Sequence, residues 1–119
     1  MAWVLDKNRA ICPQICEQIC LKIANGHYVS NEKIPSVREI AVEAGVNPNT
    51  VQKALTILTD QGLLYSVRGS GMYVSDHTTK AEKKIDDIKR EKTLEYIEEM
   101  KSLGLTIDEI KQYIKEWNE

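Results

Sequence analysis

The stretch that decides the fold runs from Lys33 to Leu58 and reads KIPSVREIAVEAGVNPNTVQKALTIL. Within it, Ser36 and Glu39 form the pattern Ser-x-x-Glu. In that pattern the serine oxygen accepts the third helical amide, and the glutamate binds the amide of the cap residue. Apolar residues then recur at helical spacing up to Gly45, which ends a helix because glycine adopts the left-handed conformation without steric cost.

A second helix begins only two residues after this glycine. Asn47 is a strong N-cap, and Pro48 suits the first helical position because its missing amide would have had no partner there. Gly62 ends the helix, whose apolar face consists of Val51, Ala54, Leu55 and Leu58. Two capped helices joined by a tight turn predict a helix-turn-helix.

The second helix of this motif lies in the DNA major groove with its first residues at the base edges. Asparagine and glutamine side chains can hydrogen-bond adenine twice, threonine can touch a thymine methyl group, and lysine can reach guanine or phosphate. The alternative for this pattern is a helical hairpin with a solvated polar face. The candidate DNA-binding residues on the helix are Asn47, Asn49, Thr50, Gln52 and Lys53.

A β-hairpin is predicted directly after the second helix. Residues 63–66 and 72–75 are β-prone, and they flank the glycine-rich turn VRGSG. A hairpin in this place is a wing, and its tip offers the charge of Arg68 beside the close-approaching backbone of Gly69. Taken alone, Arg68 is equally a solvated turn residue. The combination predicts a mainly α fold with a small β wing.

The segment from Ile15 to Val74 resembles the winged-helix domain of the GntR family of bacterial transcription regulators. The resemblance is carried by IPSVREIA, GVNPNTVQKAL, QGLLY and RGSG, in this order and spacing. The run NPNTV and the short tail resemble the YtrA-type subgroup. Tyr28 and Val29 occupy the place where many members carry a short strand that joins the wing sheet.

The resemblance implies a transcriptional regulator, expected to be a repressor, that binds a near-palindromic operator as a homodimer. The chain departs from many members at Pro48 and Gln52, where arginine is common, so the operator sequence cannot be carried over. Its genes and any small-molecule effector are also left open. The DNA contacts that the family implies fall on Ser36, Arg38, Asn47, Asn49, Thr50, Gln52, Arg68 and Gly69.

The remaining residues predict two C-terminal helices. The first is long, highly charged and ended by Gly104, and the second begins at a capping box of Thr106 and Glu109. Its apolar residues follow the spacing of a heptad seam, which can fold back on the preceding helix or pair with a second copy. The YtrA-type resemblance implies pairing. The candidate dimerisation residues are Ile97, Met100, Leu103, Ile107, Ile110, Ile114 and Trp117.

A length of 119 residues permits one domain and an appendage, predicted as a DNA-binding domain over residues 1–76 and a dimerisation segment over residues 77–119. Residues 1–76 hold 7 basic and 7 acidic side chains, so non-specific DNA affinity should be weak. This neutrality favours an alternative, a winged-helix protein-interaction module. No membrane or export signal is apparent, so the protein is expected to be cytoplasmic. The sequence contains no catalytic constellation and no cofactor motif, so it is not expected to be an enzyme.

Three cysteines, Cys12, Cys16 and Cys20, are four residues apart and would line one face of a helix. Thiolates in this arrangement could bind a metal or sense oxidants, which makes a metal- or redox-responsive regulator a further alternative. Small buried hydrophobic side chains are the plainer interpretation, and it predicts no metal. Cys12 is expected to precede a helix that begins near Pro13 and runs to about Asn25.

Residues 1–12 are expected to form a loosely ordered arm before that helix. Its apolar anchors would be Trp3, Val4, Leu5 and Ile11.

Overall fold

The computed structural model describes residues 2–76 and 78–118, which form five helices and a two-stranded sheet. The predicted class, mainly α with a small β wing, is confirmed. The chain divides into two compact units, residues 1–85 and 86–119. In chain order the elements are α1 (Ile11–Ala24), α2 (Val37–Ala44), α3 (Pro48–Asp60), β1 (Leu64–Val67), β2 (Gly71–Val74), α4 (Thr78–Ser102) and α5 (Ile107–Lys115).

The cap predicted for α2 is present with both of its hydrogen bonds. The Glu39 amide donates to Ser36 Oγ over 3.2 Å, and the Ser36 amide donates to Glu39 Oε1 over 3.0 Å. At the other end, Gly45 takes the left-handed conformation with φ of 68°. The Val46 amide then donates to Ala41 O, which closes the turn into the next helix.

Helix α3 is the central element of the first unit. Asn47 caps it by accepting the Asn49 amide over 2.8 Å, and Pro48 is its first residue. Helices α1 and α2 both pack against it. Its buried face is completely enclosed, with exposed fractions of 0% for Val51, Ala54, Leu55 and Leu58.

Helix α1 supplies the opposite side of this core through Ile15, Ile19 and Ile23. It begins at Ile11, because Ala10 is the cap residue with an extended ψ of 129°. Cys12 therefore lies inside α1, and the expectation that it precedes the helix is wrong. Proline is tolerated in the first turn, where its missing amide has no helical acceptor, so Pro13 does not mark the first residue.

The wing is an antiparallel hairpin in which Tyr65 pairs with Tyr73. A third segment joins it, but this segment is residues 31–34 and not the expected Tyr28 and Val29. The Asn31 amide donates to Val74 O over 2.7 Å, and the Ile34 amide donates to Met72 O over 3.0 Å. Tyr28 is instead held at the end of α1, where its amide donates to Lys22 O.

The N-terminal arm is more ordered than the sequence predicted. Trp3, Leu5 and Ile11 pack against the core as expected, whereas Val4 is 74% exposed and is not an anchor. Exposure alternates from Trp3 to Asp6, which is the pattern of a chain whose successive side chains point in opposite directions. This alternation explains why Val4 points away from the core between two residues that contact it.

The first turns of α4 belong to the first unit, because Ala81 is fully buried in its core and Ile85 packs against it. The boundary between the units therefore falls inside α4, later than the functional division predicted after residue 76. In the second unit Thr106 and Glu109 form the predicted capping box. Helix α5 ends at Lys115, so Trp117 lies beyond it.

Within the described residues, no helix has both the length and the apolar character needed to cross a lipid bilayer.

Candidate nucleic-acid interface

The surface of α3 that faces away from the core is polar along its first three turns. Because the core residues occupy one side of the helix, Asn49, Gln52, Lys53 and Thr56 follow one another at helical spacing on the other side. All four side chains are exposed. This face presents amide, hydroxyl and ammonium groups, which are the groups that read base edges in the major groove.

Two of the predicted residues at the start of α3, Asn47 and Thr50, are less available for DNA contacts than Asn49. The Oδ1 atom of Asn47 already accepts the Asn49 amide, so a two-bond contact with adenine would cost the helix its cap. Thr50 is half-buried. Within the described residues, the Asn49 side chain has no hydrogen-bond partner, and it keeps both its donor and its acceptor. Asn49 is therefore the best placed of the three for reading a base.

Thr56 also belongs to this face, although it is not among the residues predicted from the sequence. The Thr56 hydroxyl donates to Gln52 O over 3.0 Å, and Gln52 Nε2 donates to Thr56 Oγ1 over 3.5 Å. Thr56 thus restrains the Gln52 side chain. Its position four residues after Gln52 is a signal from which the sequence could have predicted it.

The predicted phosphate contacts lie at the start of α2, where Ser36 and Arg38 are both exposed. The Ser36 oxygen accepts the Glu39 amide, and the Ser36 side chain also forms a hydrogen bond with the Glu39 carboxylate. Hydrogen bonds from the backbone and the side chain of Ser36 lower the pKa of the Glu39 carboxyl. Glu39 is therefore anionic at neutral pH, and a phosphate at this helix end must be held from the Arg38 side.

The wing tip carries the predicted Arg68 and Gly69, both exposed, and Gly69 has a φ of 78°. A second cation lies beside them. A Cβ atom placed on Gly71 would approach Lys33 Cε to 2.9 Å, so the Lys33 side chain crosses the hairpin just behind the tip. Lys33 was not predicted from the sequence, because no local pattern pairs residues 31–34 with β2.

The recognition helix, the start of α2 and the wing all lie within one segment that matches a known protein family. The profile described as "Bacterial regulatory proteins, gntR family" matches residues 13–74. This chain belongs to the GntR family. It is therefore a DNA-binding transcription regulator, and the sequence resemblance to this family is confirmed.

Two Bacillus subtilis relatives match most of the chain. The HTH-type transcriptional regulator YhcF is 31% identical over 114 residues, covering 96% of this chain and 94% of the relative. The HTH-type transcriptional repressor YtrA is 36% identical over 105 residues, covering 87% and 78%. The likeness thus extends through the tail, as the YtrA-type resemblance implied.

Solved structures of GntR regulators share the fold. A GntR family transcriptional regulator from Listeria monocytogenes superposes with a TM-score of 0.82 at 33% identity, covering 96% of this chain and all of that one. The DNA-binding domain of AraR in complex with an operator gives a TM-score of 0.54 at 36% identity, covering 60% of this chain and 87% of that one. The second match is to a protein bound to its DNA.

The three cysteines of α1 do not form a metal site in the structure. Among the described residues, no group of histidine, cysteine, aspartate and glutamate side chains is arranged to hold a metal ion. Cys16 and Cys20 are buried, and the Cys16 thiol donates to Ala54 O on α3 over 3.7 Å. Burial is the main cause that raises the pKa of Cys16 to about 11, and it also raises the pKa of Cys20. Their geometry supports a packing role.

We expect the native protein to resist thiol modification at Cys16 and Cys20. Only the thiolate reacts, and a pKa that rises from 9.0 to about 11 leaves roughly 100-fold less thiolate on Cys16 at pH 7. Iodoacetamide labelling followed by peptide mass spectrometry should modify the half-buried Cys12 first, and Cys16 only at alkaline pH or after unfolding in urea. Native labelling of Cys16 at pH 7 as fast as in urea would argue for a reactive, sensing thiol.

Proposed function

We propose that this regulator is a sequence-specific repressor that binds a near-palindromic operator as a homodimer. In each half-site, α3 enters the major groove, Arg68 and Gly69 reach the adjacent minor groove, and Ser36 and Arg38 hold phosphates. The observation that carries this proposal is the two-sided character of α3, whose apolar face is fully buried while its polar face is exposed. Bound protein in the bacterial cytoplasm would block polymerase.

Repression is the direction of regulation that the relatives favour. YtrA, which shares the tail as well as the winged domain, is described as a repressor.

The proposed dimer forms through apolar side chains of the second unit, which we call the tail surface (Leu103, Ile107, Ile114 and Trp117). Leu103 and Trp117 are each 77% exposed, and Ile114 is 57% exposed. Ile107 and Ile114 lie two turns apart on one side of α5. Several exposed apolar side chains within one short segment are typical of a protein interface. A second copy of this chain is the partner that a two-fold operator requires.

The other candidate dimerisation residues lie deeper in the single chain. Ile110 is only 2% exposed, so it would support the tail surface from beneath instead of touching the partner. Ile97 and Met100 are half-buried. These residues are proposed to hold α5 in the orientation that presents Ile107 and Ile114.

The division of labour between phosphate and base contacts provides a test. Arg38→Ala should weaken binding to operator and to scrambled DNA equally, because a phosphate contact carries no sequence information. Asn49→Ala should weaken operator binding by about 1–3 kcal/mol and leave scrambled DNA unaffected, because it removes a base contact. Fluorescence anisotropy with both duplexes measures the two effects.

The matched control for Asn49→Ala is Asn118→Ala, which removes an exposed asparagine from the second unit. It should change neither affinity. If Arg38→Ala and Asn49→Ala had the same effects on both duplexes, the assigned roles would be wrong.

A protein-interaction module is the second candidate, and the equal number of basic and acidic residues over residues 1–76 favours it. If the protein were such a module, the parent protein would bind operator DNA only weakly, and Asn49→Ala would not change that affinity.

A further inference from the structure

The N-terminal arm passes beside the start of the recognition helix. An open groove of about 270 Å³ is lined on one side by the arm and α1 and on the other by the turn between α2 and α3 and the start of α3. Lys7 is the only ionisable side chain among the described residues that line it. The lining residues are Lys7, Ile11, Gly45, Val46, Asn47 and Thr50.

The segment that carries Lys7 is fixed by a buried amide. Gln14 is 5% exposed, and its Oε1 accepts the Asp6 amide over 2.7 Å. Its Nε2 donates to Asp6 O over 2.8 Å and to Ala10 O over 2.9 Å. A buried amide that is satisfied at both ends by one short stretch of backbone holds that stretch in place. Lys7 is therefore presented by an ordered turn.

The other charged side chains of this turn leave the Lys7 ammonium group available to bind a phosphate. The Asp6 carboxylate accepts the Asn8 amide over 2.9 Å and pairs with Arg9 over 3.6 Å, so it is already engaged. No ion pair of Lys7 occurs within the described part of the chain. Since residues 1–76 contain 7 basic side chains in all, one lysine beside the recognition helix is a large share of the charge that can neutralise phosphate.

We propose that Lys7 is a DNA-backbone contact, whose ammonium group binds a phosphate next to the bases that α3 reads. The N-terminal arm then belongs to the DNA-binding surface together with α2, α3 and the wing. Gln14 is a positioning residue that acts through Lys7. This inference rests on the proposed entry of α3 into the major groove.

The test is a salt titration of DNA binding by the full chain. Lys7→Ala should weaken binding to operator and scrambled DNA by the same factor. It should also lower the slope of log affinity against log salt by about 0.9, the contribution of one phosphate contact. The charge-matched control is Lys115→Ala in the second unit, which should leave the slope unchanged.

A second variant tests the role of Gln14. Gln14→Leu keeps a similar volume but removes the hydrogen bonds to the arm, so it should weaken DNA binding when Lys7 is present. In the Lys7→Ala background it should weaken binding no further, because the contact that it positions is already absent. Thermal unfolding followed by circular dichroism confirms that each variant is folded.

The outcomes separate this inference from the proposed function. An unchanged salt slope for Lys7→Ala, in a protein whose Asn49→Ala variant loses operator preference, would overturn the role of Lys7 alone. A parent protein that showed no preference for any operator would overturn both.

Discussion

Replacing Leu103 and Ile114 together with lysine should convert the dimer into a monomer. Both side chains are exposed in the single chain, so the substitutions leave its core intact. In the dimer they would bury four unpaired ammonium groups, two from each copy, and an unpaired buried charge is strongly unfavourable. Sedimentation equilibrium should show a shift from the dimer mass to the monomer mass.

The same variant should lose operator affinity on the order of 100-fold, because joining two half-site contacts in one molecule makes the second contact intramolecular. The matched control carries Gln112→Lys and Asn118→Lys, which add the same charge at exposed polar positions of the same unit. It should remain a dimer with unchanged affinity. A dimer of undiminished stability after Leu103 and Ile114 are replaced would show that the tail surface is not the interface.

The second large effect is expected at the centre of the first unit. Leu55 is completely buried on α3, the helix against which α1 and α2 pack. Leu55→Ala removes buried methyl groups and leaves a cavity, which should lower the free energy of unfolding by about 2–5 kcal/mol. Chemical denaturation followed by circular dichroism measures the loss.

Ile57→Ala is the control on the same helix, because Ile57 is 39% exposed and its truncation leaves no closed cavity. It should cost clearly less stability than Leu55→Ala. At temperatures where the Leu55→Ala protein stays folded, its operator affinity should match that of the parent, since the polar face of α3 is unaltered. Equal destabilisation by the two substitutions would contradict the described orientation of α3.

The elements that could be predicted from the sequence are those whose signals are local. The paired bonds of Ser36 with Glu39, and of Thr106 with Glu109, connect residues three positions apart, so the letters alone specify them. The same holds for Asn47, which caps α3 from two residues away. These caps fix where the recognition helix begins and hence which side chains can meet DNA.

The features that could not be predicted depend on contacts between distant segments. The wing's third segment forms because the Asn31 amide meets Val74 O, a pairing that no local pattern encodes, and Lys33 beside the wing tip follows from it. The arm was expected to be loose because nothing in its sequence reveals that Gln14 would bind Asp6. Lys7 was overlooked for the same reason.

The cysteine spacing shows a different limit. In the sequence, three thiols four residues apart are compatible with a sensing face as well as with the plainer interpretation, a packed face. The burial of Cys16 and Cys20 favours the packed face, because burial raises the pKa of both thiols and so leaves less of the reactive thiolate. Spacing predicts which side chains share a face, whereas the packing around that face determines its chemistry.

The most direct test of the central claim is a fluorescence-anisotropy titration of the purified protein against DNA from upstream of its own reading frame. A scrambled duplex of the same composition and two salt concentrations complete the measurement. A preference for the upstream DNA that persists at the higher salt is the result expected for a sequence-specific operator-binding regulator. Equal, weak binding to both duplexes at both salt concentrations would contradict the claim that this DNA contains its operator, and would favour the protein-interaction module.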